Sequence, residues 1–413
     1  MKSLLSNKLY LSILGLDLLS NLGDTLYYLA LMNYVLLLPD TKYALALVSF
    51  SETFPILSGI FWGYLADKTS KKVNTIIATQ VFRLLLYILV GRVMSFQPAL
   101  GVVIVAAFVN LLAAMAGQYE NGLYIPISLR LVSDQDREMA TAFSSSLKST
   151  FSILFNASGA ILIGIMSYSQ LAYINAATFA VCALLMTRLS PKLNALLNQK
   201  PITPDQKQKS FIKGFIGDFK SMVAIMVEIP IIRLCLVIVP CLNALLNGLS
   251  TILVLVMSAD KGFIFFNSAT TIASVSMVLT LGQILGNLLV TTVLKDLGIM
   301  KALHGSIYLL LMVYFSMFCH NIAALLISLF LIGITVGIVN PKMYAYLLNT
   351  LPEDKMALMS NSLTTYFMLG TFIFNFVLSG LVLILSAQLL VVFCLLLSLL
   401  LVGYTLFSSR KKD

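Results

Sequence analysis

The residues able to do chemistry in this chain are the few charged ones that interrupt long apolar runs: Asp17, Asp24, Glu52, Arg83, Glu120 and Lys342. An ionisable side chain at the centre of a bilayer costs about 2.5–3.5 kcal/mol on insertion scales, so each one implies a partner or a use. Asp17 and Asp24 stand two helical turns apart and share one face with Asn21, Tyr27 and Tyr28. That face is expected to line a cavity. Counted at about 1.5 Å per residue, Asp24 and Glu52 lie at the same depth, roughly 21 Å from the inner ends of their helices, with Arg83 at about 15 Å. Two carboxylates brought together in low-dielectric surroundings cannot both stay ionised cheaply, which makes Asp17, Asp24, Glu52 and Glu120 candidates for proton coupling. The competing reading is a permanent ion pair between Arg83 and Asp24 or Glu52.

Lys342 is the second charge-pair candidate, either neutralising Glu120 or extending its stem toward the cytoplasm. Downstream of residue 228 the deep polar groups are amides: Asn243 with Asn247, and Gln283 with Asn287. Each pair is spaced i, i+4 on one helix face, fit either for a ligand or for holding helices together. His304 and His320 are expected to be solvated at helix ends, and Cys182, Cys235, Cys241, Cys319 and Cys394 to be packing residues without the spacing of a metal site. No nucleophile triad, metal cluster or phosphate-binding glycine loop is present in the sequence, so neither enzyme chemistry nor a cofactor is expected.

These groups need apolar helices to carry them. Of 413 residues, 59% are hydrophobic and 11% charged, with a mean hydropathy of +0.95. Soluble domains carry roughly 25% charged residues, and barrel strands alternate where these segments are continuously apolar. Apolar runs of about 20 residues or more predict twelve membrane-spanning helices at 9–38, 43–66, 73–94, 99–123, 140–167 and 170–188, then 229–257, 265–294, 300–318, 321–348, 357–383 and 386–407. The expected fold is all-α and integral to the membrane, with two pseudo-symmetric six-helix halves, 1–189 and 229–413. Between them, 190–228 holds Pro191, Pro201 and Pro204 and reads as a cytoplasmic linker with an amphipathic stretch at 211–219. With the N-terminus inside, twenty of the 27 Lys and Arg residues fall on the inner side and only Lys42, Arg92 and Lys261 on the outer. Both termini are therefore expected in the cytoplasm of a cell membrane, the bacterial inner membrane in this reading. The net charge of +10 is dispersed over the inner loops, which points away from nucleic acid. A faint repeat relates 131–147 to 351–363, each preceding the fifth span of its half.

The loop after the second span reads Gly63-Tyr64-Leu65-Ala66-Asp67-Lys68-Thr69-Ser70-Lys71-Lys72. It resembles the G-x-L-A-D-[RK]-x-G-[RK]-[RK] signature of the major facilitator superfamily, with Ser70 in place of the second glycine. Gly23-Asp24, Glu52-Thr53-Phe54-Pro55 and Arg83 are similar to recurring features of its macrolide-efflux-like drug exporters. One departure is that 155–159 lacks the Gly-Pro pair common in the superfamily's antiporters. The resemblance implies a monomeric secondary transporter, in contact with the bilayer and a small-molecule substrate, that rocks its two halves about a midplane site. It would export an amphipathic compound in exchange for protons, with the proton gradient as the driving force. It also implies that Gly63, Asp67, Lys68, Lys71 and Lys72 form a conformational loop, in which Asp67 docks near a helix of the other half and holds the outward-facing state. Alternatives are export of an endogenous peptide, siderophore or lipid, or a non-transporting sensor or assembly factor of the same fold.

Overall fold

The computed structural model describes residues 4, 6–35, 37–38, 41–199, 211–264, 268–351, 355–382 and 384–410. Among them there is no strand. An apolar chain in hydrocarbon must satisfy its backbone polar groups within each segment, and a helix does so. The helices are α1 (Lys8–Val35), α2 (Thr41–Leu57), α3 (Gly59–Lys68), α4 (Lys72–Val93), α5 (Leu100–Leu131), α6 (Arg137–Ile165) and α7 (Tyr168–Asn198). They continue as α8 (Phe211–Glu228), α9 (Pro230–Ala259), α10 (Ser268–Leu289), α11 (Ile299–Phe318), α12 (Ile322–Thr350), α13 (Met356–Val382) and α14 (Ala387–Arg410). Eight of these are long and apolar enough to cross a bilayer, and α2 and α10 hold shorter apolar stretches. With α2 and α3 counted as one span and α8 set apart, the order reproduces the twelve expected spans.

The departures have local causes. The second span breaks at Ser58, three residues after Pro55, whose ring cannot supply a helical N–H. The Ser58 hydroxyl donates to the Pro55 carbonyl and accepts from the Trp62 indole, so one side chain bridges the break. The sixth span was expected to stop at Arg188, but α7 continues through Pro191 to Asn198. Leu193 beyond the proline is fully buried, which holds the added turns in place. The amphipathic stretch is longer than expected, and 200–210 of the linker lie outside the described residues.

The chain forms two compact units. Unit 1 comprises Met1–Arg137, Thr150–Val223 and Leu347–Thr365. Here α7 packs along α4 and α1, while α5 receives α2, α3 and α4. Its core gathers Tyr27, Tyr34, Tyr87 and Phe179, all nearly inaccessible. Unit 2 comprises Glu138–Ser149, Ala224–Tyr346 and Tyr366–Asp413. Its core runs between α9, α11 and α14, with Tyr314 donating to the Leu245 carbonyl at 2.7 Å. Here α10 and α12 cross on glycines: a Cβ at Gly282 or Gly286 would stand 2.2 Å from the carbonyl oxygen of Phe330 or Ile334, and one at Gly333 or Gly337 would stand 2.3 Å from that of Leu279 or Gln283. Only glycine allows so close a backbone approach.

Candidate functional site

The polar site of unit 1 is built on one stripe of α4, where Thr79, Gln80, Arg83 and Tyr87 recur at helical spacing. Glycine brings the neighbouring helix in. A Cβ at Gly23 would stand 2.2 Å from Asn175 Oδ1 and 2.3 Å from Thr178 Oγ1, so α1 lies tight against α7 and delivers Asp24 to the stripe. Arg83 Nη2 meets Asp24 Oδ2 at 2.6 Å, and Nη1 stands 3.9 Å from Glu120 Oε2 on α5. The guanidinium lies over the Phe179 ring, 4.0 Å from its centre, a cation–π contact. Asp24 Oδ1 also accepts from the Tyr87 hydroxyl at 3.3 Å and from Asn175 Nδ2 at 3.4 Å. Glu120 accepts from Gln80 Nε2 at 2.9 Å and from the Thr79 hydroxyl at 3.2 Å. The side chains of Arg83 and Glu120 are 7% and 9% exposed, whereas that of Asp24 is 36% exposed, so the cluster opens at Asp24.

Glu52 belongs to a separate node. Asn110 Nδ2 donates to Glu52 Oε1 at 2.7 Å and to the buried Ser51 hydroxyl at 3.0 Å. Among the described residues no ion pair reaches Glu52. Asp24 and Glu52, placed at the same depth by the sequence, take different hydrogen-bond partners. Asp17 accepts from Asn21 Nδ2 at 3.1 Å on the open side of α1. Tyr28 is half-buried, but Tyr27 turns into the core, its hydroxyl donating to the Ala106 carbonyl at 3.0 Å. Its place one turn past Asp24 faces the helix packing rather than an open cavity.

The loop signature forms a seat. Asp67, 8% exposed, accepts from the backbone N–H of Ala357 at 3.1 Å and of Leu358 at 2.8 Å, both in the first turn of α13. A carboxylate there meets the positive end of the helix dipole. Gly63 is what permits it: a Cβ would stand 2.5 Å from the Ala357 oxygen and 2.9 Å from its carbonyl carbon. At Gly122 on α5 a Cβ would come within 2.7 Å of Ala66 Cβ and 3.3 Å of Ala357 Cβ. Two turns along α13, the Thr365 hydroxyl donates to the Ile56 carbonyl beside the helix break. Lys72 Nζ closes α3 by donating to the Ala66 carbonyl at 2.7 Å, Lys68 lies over the Tyr64 ring, and Lys71 is exposed.

In unit 2, Lys342 does not serve Glu120. It pairs with Glu138 Oε1 at 2.9 Å and donates to the Lys295 carbonyl at 2.5 Å, because Glu138 at the head of α6 and the turn after α10 both meet α12 at its level. Asn287 is buried and donates to the Ser145 hydroxyl at 3.1 Å, while Asn247 is exposed and bonds the Asn243 carbonyl of its own helix. Gln283 is half-buried, and its carbonyl is the one that Gly337 faces. Cys182, Cys235 and Cys394 are buried as packing residues, but Cys241 and Cys319 are exposed. His320 is not free in solvent: its Nδ1 stands 2.7 Å from Asp260 Oδ2.

Sequence reasoning singled out the charges and missed the neutral groups that hold them: Thr79, Gln80, Tyr87, Asn110, Asn175 and Phe179. The signal for three of them was present, since Thr79, Gln80 and Tyr87 lie one turn either side of Arg83.

Eight helices of membrane length make this a multi-pass membrane protein. The chain belongs to the Major Facilitator Superfamily, whose family model matches residues 3–374. Among solved structures it is similar to a bacterial homologue of the iron transporter ferroportin in the outward-facing state, with 14% identity, coverage of 98% of this chain and 100% of that one, and a TM-score of 0.68. It is also similar to the proton:xylose symporter XylE (10% identity, coverage 97% and 95%, TM-score 0.65) and to the E. coli fucose:proton symporter FucP (16%, 95% and 99%, 0.56). At these identities the likeness is one of fold. No curated protein sequence matches the chain.

Proposed function

We propose that the protein is a secondary active exporter of an amphipathic, cationic small molecule, driven by proton antiport. The observation that carries this reading is the position of Arg83 between two acids, bonded to the half-open Asp24 and 3.9 Å from the enclosed Glu120. A proton arriving on Asp24 releases the guanidinium to Glu120, a shift of about 1 Å along the Phe179 face that keeps a carboxylate on the arginine throughout. Asp24, once neutral, no longer holds a cationic substrate. Loss of the proton restores both the pair and the attraction. One arginine cannot neutralise Asp24, Glu52 and Glu120 together, and in hydrocarbon an unmatched carboxyl is cheapest as the neutral acid. Glu52, which among the described residues is held by the Asn110 amide, is the second proton site. The Asp67 seat is the conformational contact in this proposal, made and broken once per cycle.

Substitution tests the reading. Asp24→Asn keeps the shape and removes the titration, and is expected to insert and fold normally while losing proton-coupled transport. Arg83→Ala strands the buried Glu120 and the half-open Asp24 and is expected to lower stability. Unaltered pH dependence in Asp24→Asn would transfer the role to Glu52 or Asp17.

A further inference from the structure

In unit 2, the C-terminal ends of α9 and α11 and the start of α14 enclose a cavity of about 340 Å³. Its lining includes Val256, Asp260, Met317, Phe318, His320 and Gln388. Two of these residues occupy positions that their own helices disfavour. Asp260 is the C-cap of α9, where a carboxylate meets the negative end of the helix dipole. His320 follows the C-cap of α11 with φ 52°, and is the one non-glycine residue of positive φ among those described. The turn is a Schellman closure, with Asn321 N–H donating to the Ser316 carbonyl at 2.9 Å and His320 N–H to that of Met317 at 3.1 Å. Glycine is the usual residue there. What the pair gains is mutual: the left-handed residue brings His320 Nδ1 to 2.7 Å from Asp260 Oδ2.

The field in the cavity is negative. The Gly262 N–H, at 2.8 Å from Oδ1, and His320 beside Oδ2 hold the Asp260 carboxyl below the usual carboxylate range, so it is ionised at any physiological pH. The negative dipole ends of α9 and α11 point to the same place. The opposite end of a dipole, at the start of α14, is partly answered by the Ser386 hydroxyl, which accepts from Leu389 N–H at 3.4 Å. Against this field stand apolar walls: Val256, the Met317 thioether and the half-exposed Phe318 ring. An acidic anchor beside an aromatic ring and a thioether suits an ammonium group on an apolar body.

We propose that this cavity binds a small primary ammonium ion of apolar body, anchored on Asp260. Among the described side chains, α9 brings Asp260 to the pair, the turn at 261–263 brings Phe263 edge-on to the imidazole at 6.1 Å, and α11 brings Cys319 next to His320. From α14 come Ser386 and Gln388, neither of which titrates. The site lies in unit 2 and is independent of the Asp24 cluster.

The test is equilibrium binding of radiolabelled 2-phenylethylammonium to the purified full-length protein in nanodiscs. The expected result is saturable binding at pH 8. Binding should be lost in Asp260→Asn and in Gln388→Trp, which fills the cavity from an exposed position without touching the charge pair. It should persist in Asp24→Asn. Equal binding by the parent and both cavity variants, loss in Asp24→Asn, equal competition by neutral 2-phenylethanol, or no saturable binding at pH 8 would each overturn the proposal.

Discussion

Asp67→Asn is the most informative single change, because structure and mechanism make different demands on that carboxylate. Its two oxygens accept from two buried N–H groups, at 3.1 and 2.8 Å. The amide can accept only one, and turns an NH₂ donor toward the other. A hydrogen bond to a charged group contributes about 1.5–3 kcal/mol, and a carboxylate at a partly buried helix terminus up to about 2. A loss of roughly 2 kcal/mol follows, or about thirtyfold in the equilibrium between seated and released α13. Gly63→Ala reaches the same contact without altering charge. Its Cβ meets the Ala357 carbonyl at 2.5 Å, an obstruction that no rotamer relieves, and overpacking of this kind costs about 1–3 kcal/mol. Gly15→Ala, where nothing lies within 4 Å, is the control. Pulsed electron–electron distances between spin labels at the exposed Asn74 and Thr350 should lengthen in both variants and stay unchanged in the control. Turnover should slow in both, with little change in substrate affinity. Unchanged distances in both variants, with binding lost in Asp67→Asn, would refute the conformational role and make Asp67 a ligand or folding residue.

Other outcomes follow from the same geometry. Gly333→Val forces a side chain against the Leu279 carbonyl and should lower the melting temperature by several degrees, while Gly101→Val, with nothing within 4 Å, should leave it unchanged in a fluorescence melt. Lys342→Met should destabilise unit 2 by stranding Glu138, and adding Glu138→Gln should restore much of the loss, a double-mutant cycle readable by the same melt. Asp260 is held below the usual carboxylate range by Gly262 N–H and His320, so its contribution to stability is present above about pH 4 and is lost as pH falls through the lowered value. Melting curves of the parent and Asp260→Asn should therefore differ near pH 7 and converge as the pH falls below the lowered value.

The fold was legible because apolar length and the scarcity of charge admit few alternatives: runs of about 20 residues or more fixed the order of spans, and Gly63 and Asp67 marked the loop that seats α13. What escaped the sequence depends on partners far along the chain. Asp24 could be placed at the depth of Glu52, but only the packing of α1 against α7 at Gly23 decides that its partners are Arg83, Tyr87 and Asn175. Lys342 was offered Glu120 as a partner by the sequence, since Glu138 lies about two hundred residues away and begins a helix whose depth no local pattern reveals. Tyr27 shows the limit of helical periodicity, for the apolar body that follows Asp24 on the same broad face is claimed by the core. The Gly282–Gly286 and Gly333–Gly337 spacings, by contrast, were visible in the sequence, and their reciprocal contact emerges only in three dimensions.

The central claim is that proton entry at Asp24 releases Arg83 and drives export. Its most direct test is uptake of the fluorescent cations ethidium and rhodamine 6G into everted vesicles, with the pH gradient intact and after its collapse by nigericin. The account predicts accumulation that collapses with the gradient in the parent and is absent in Asp24→Asn, with protein levels in the membrane unchanged. Accumulation that survives collapse of the gradient, or that proceeds equally in Asp24→Asn with the parent's pH dependence, would contradict it.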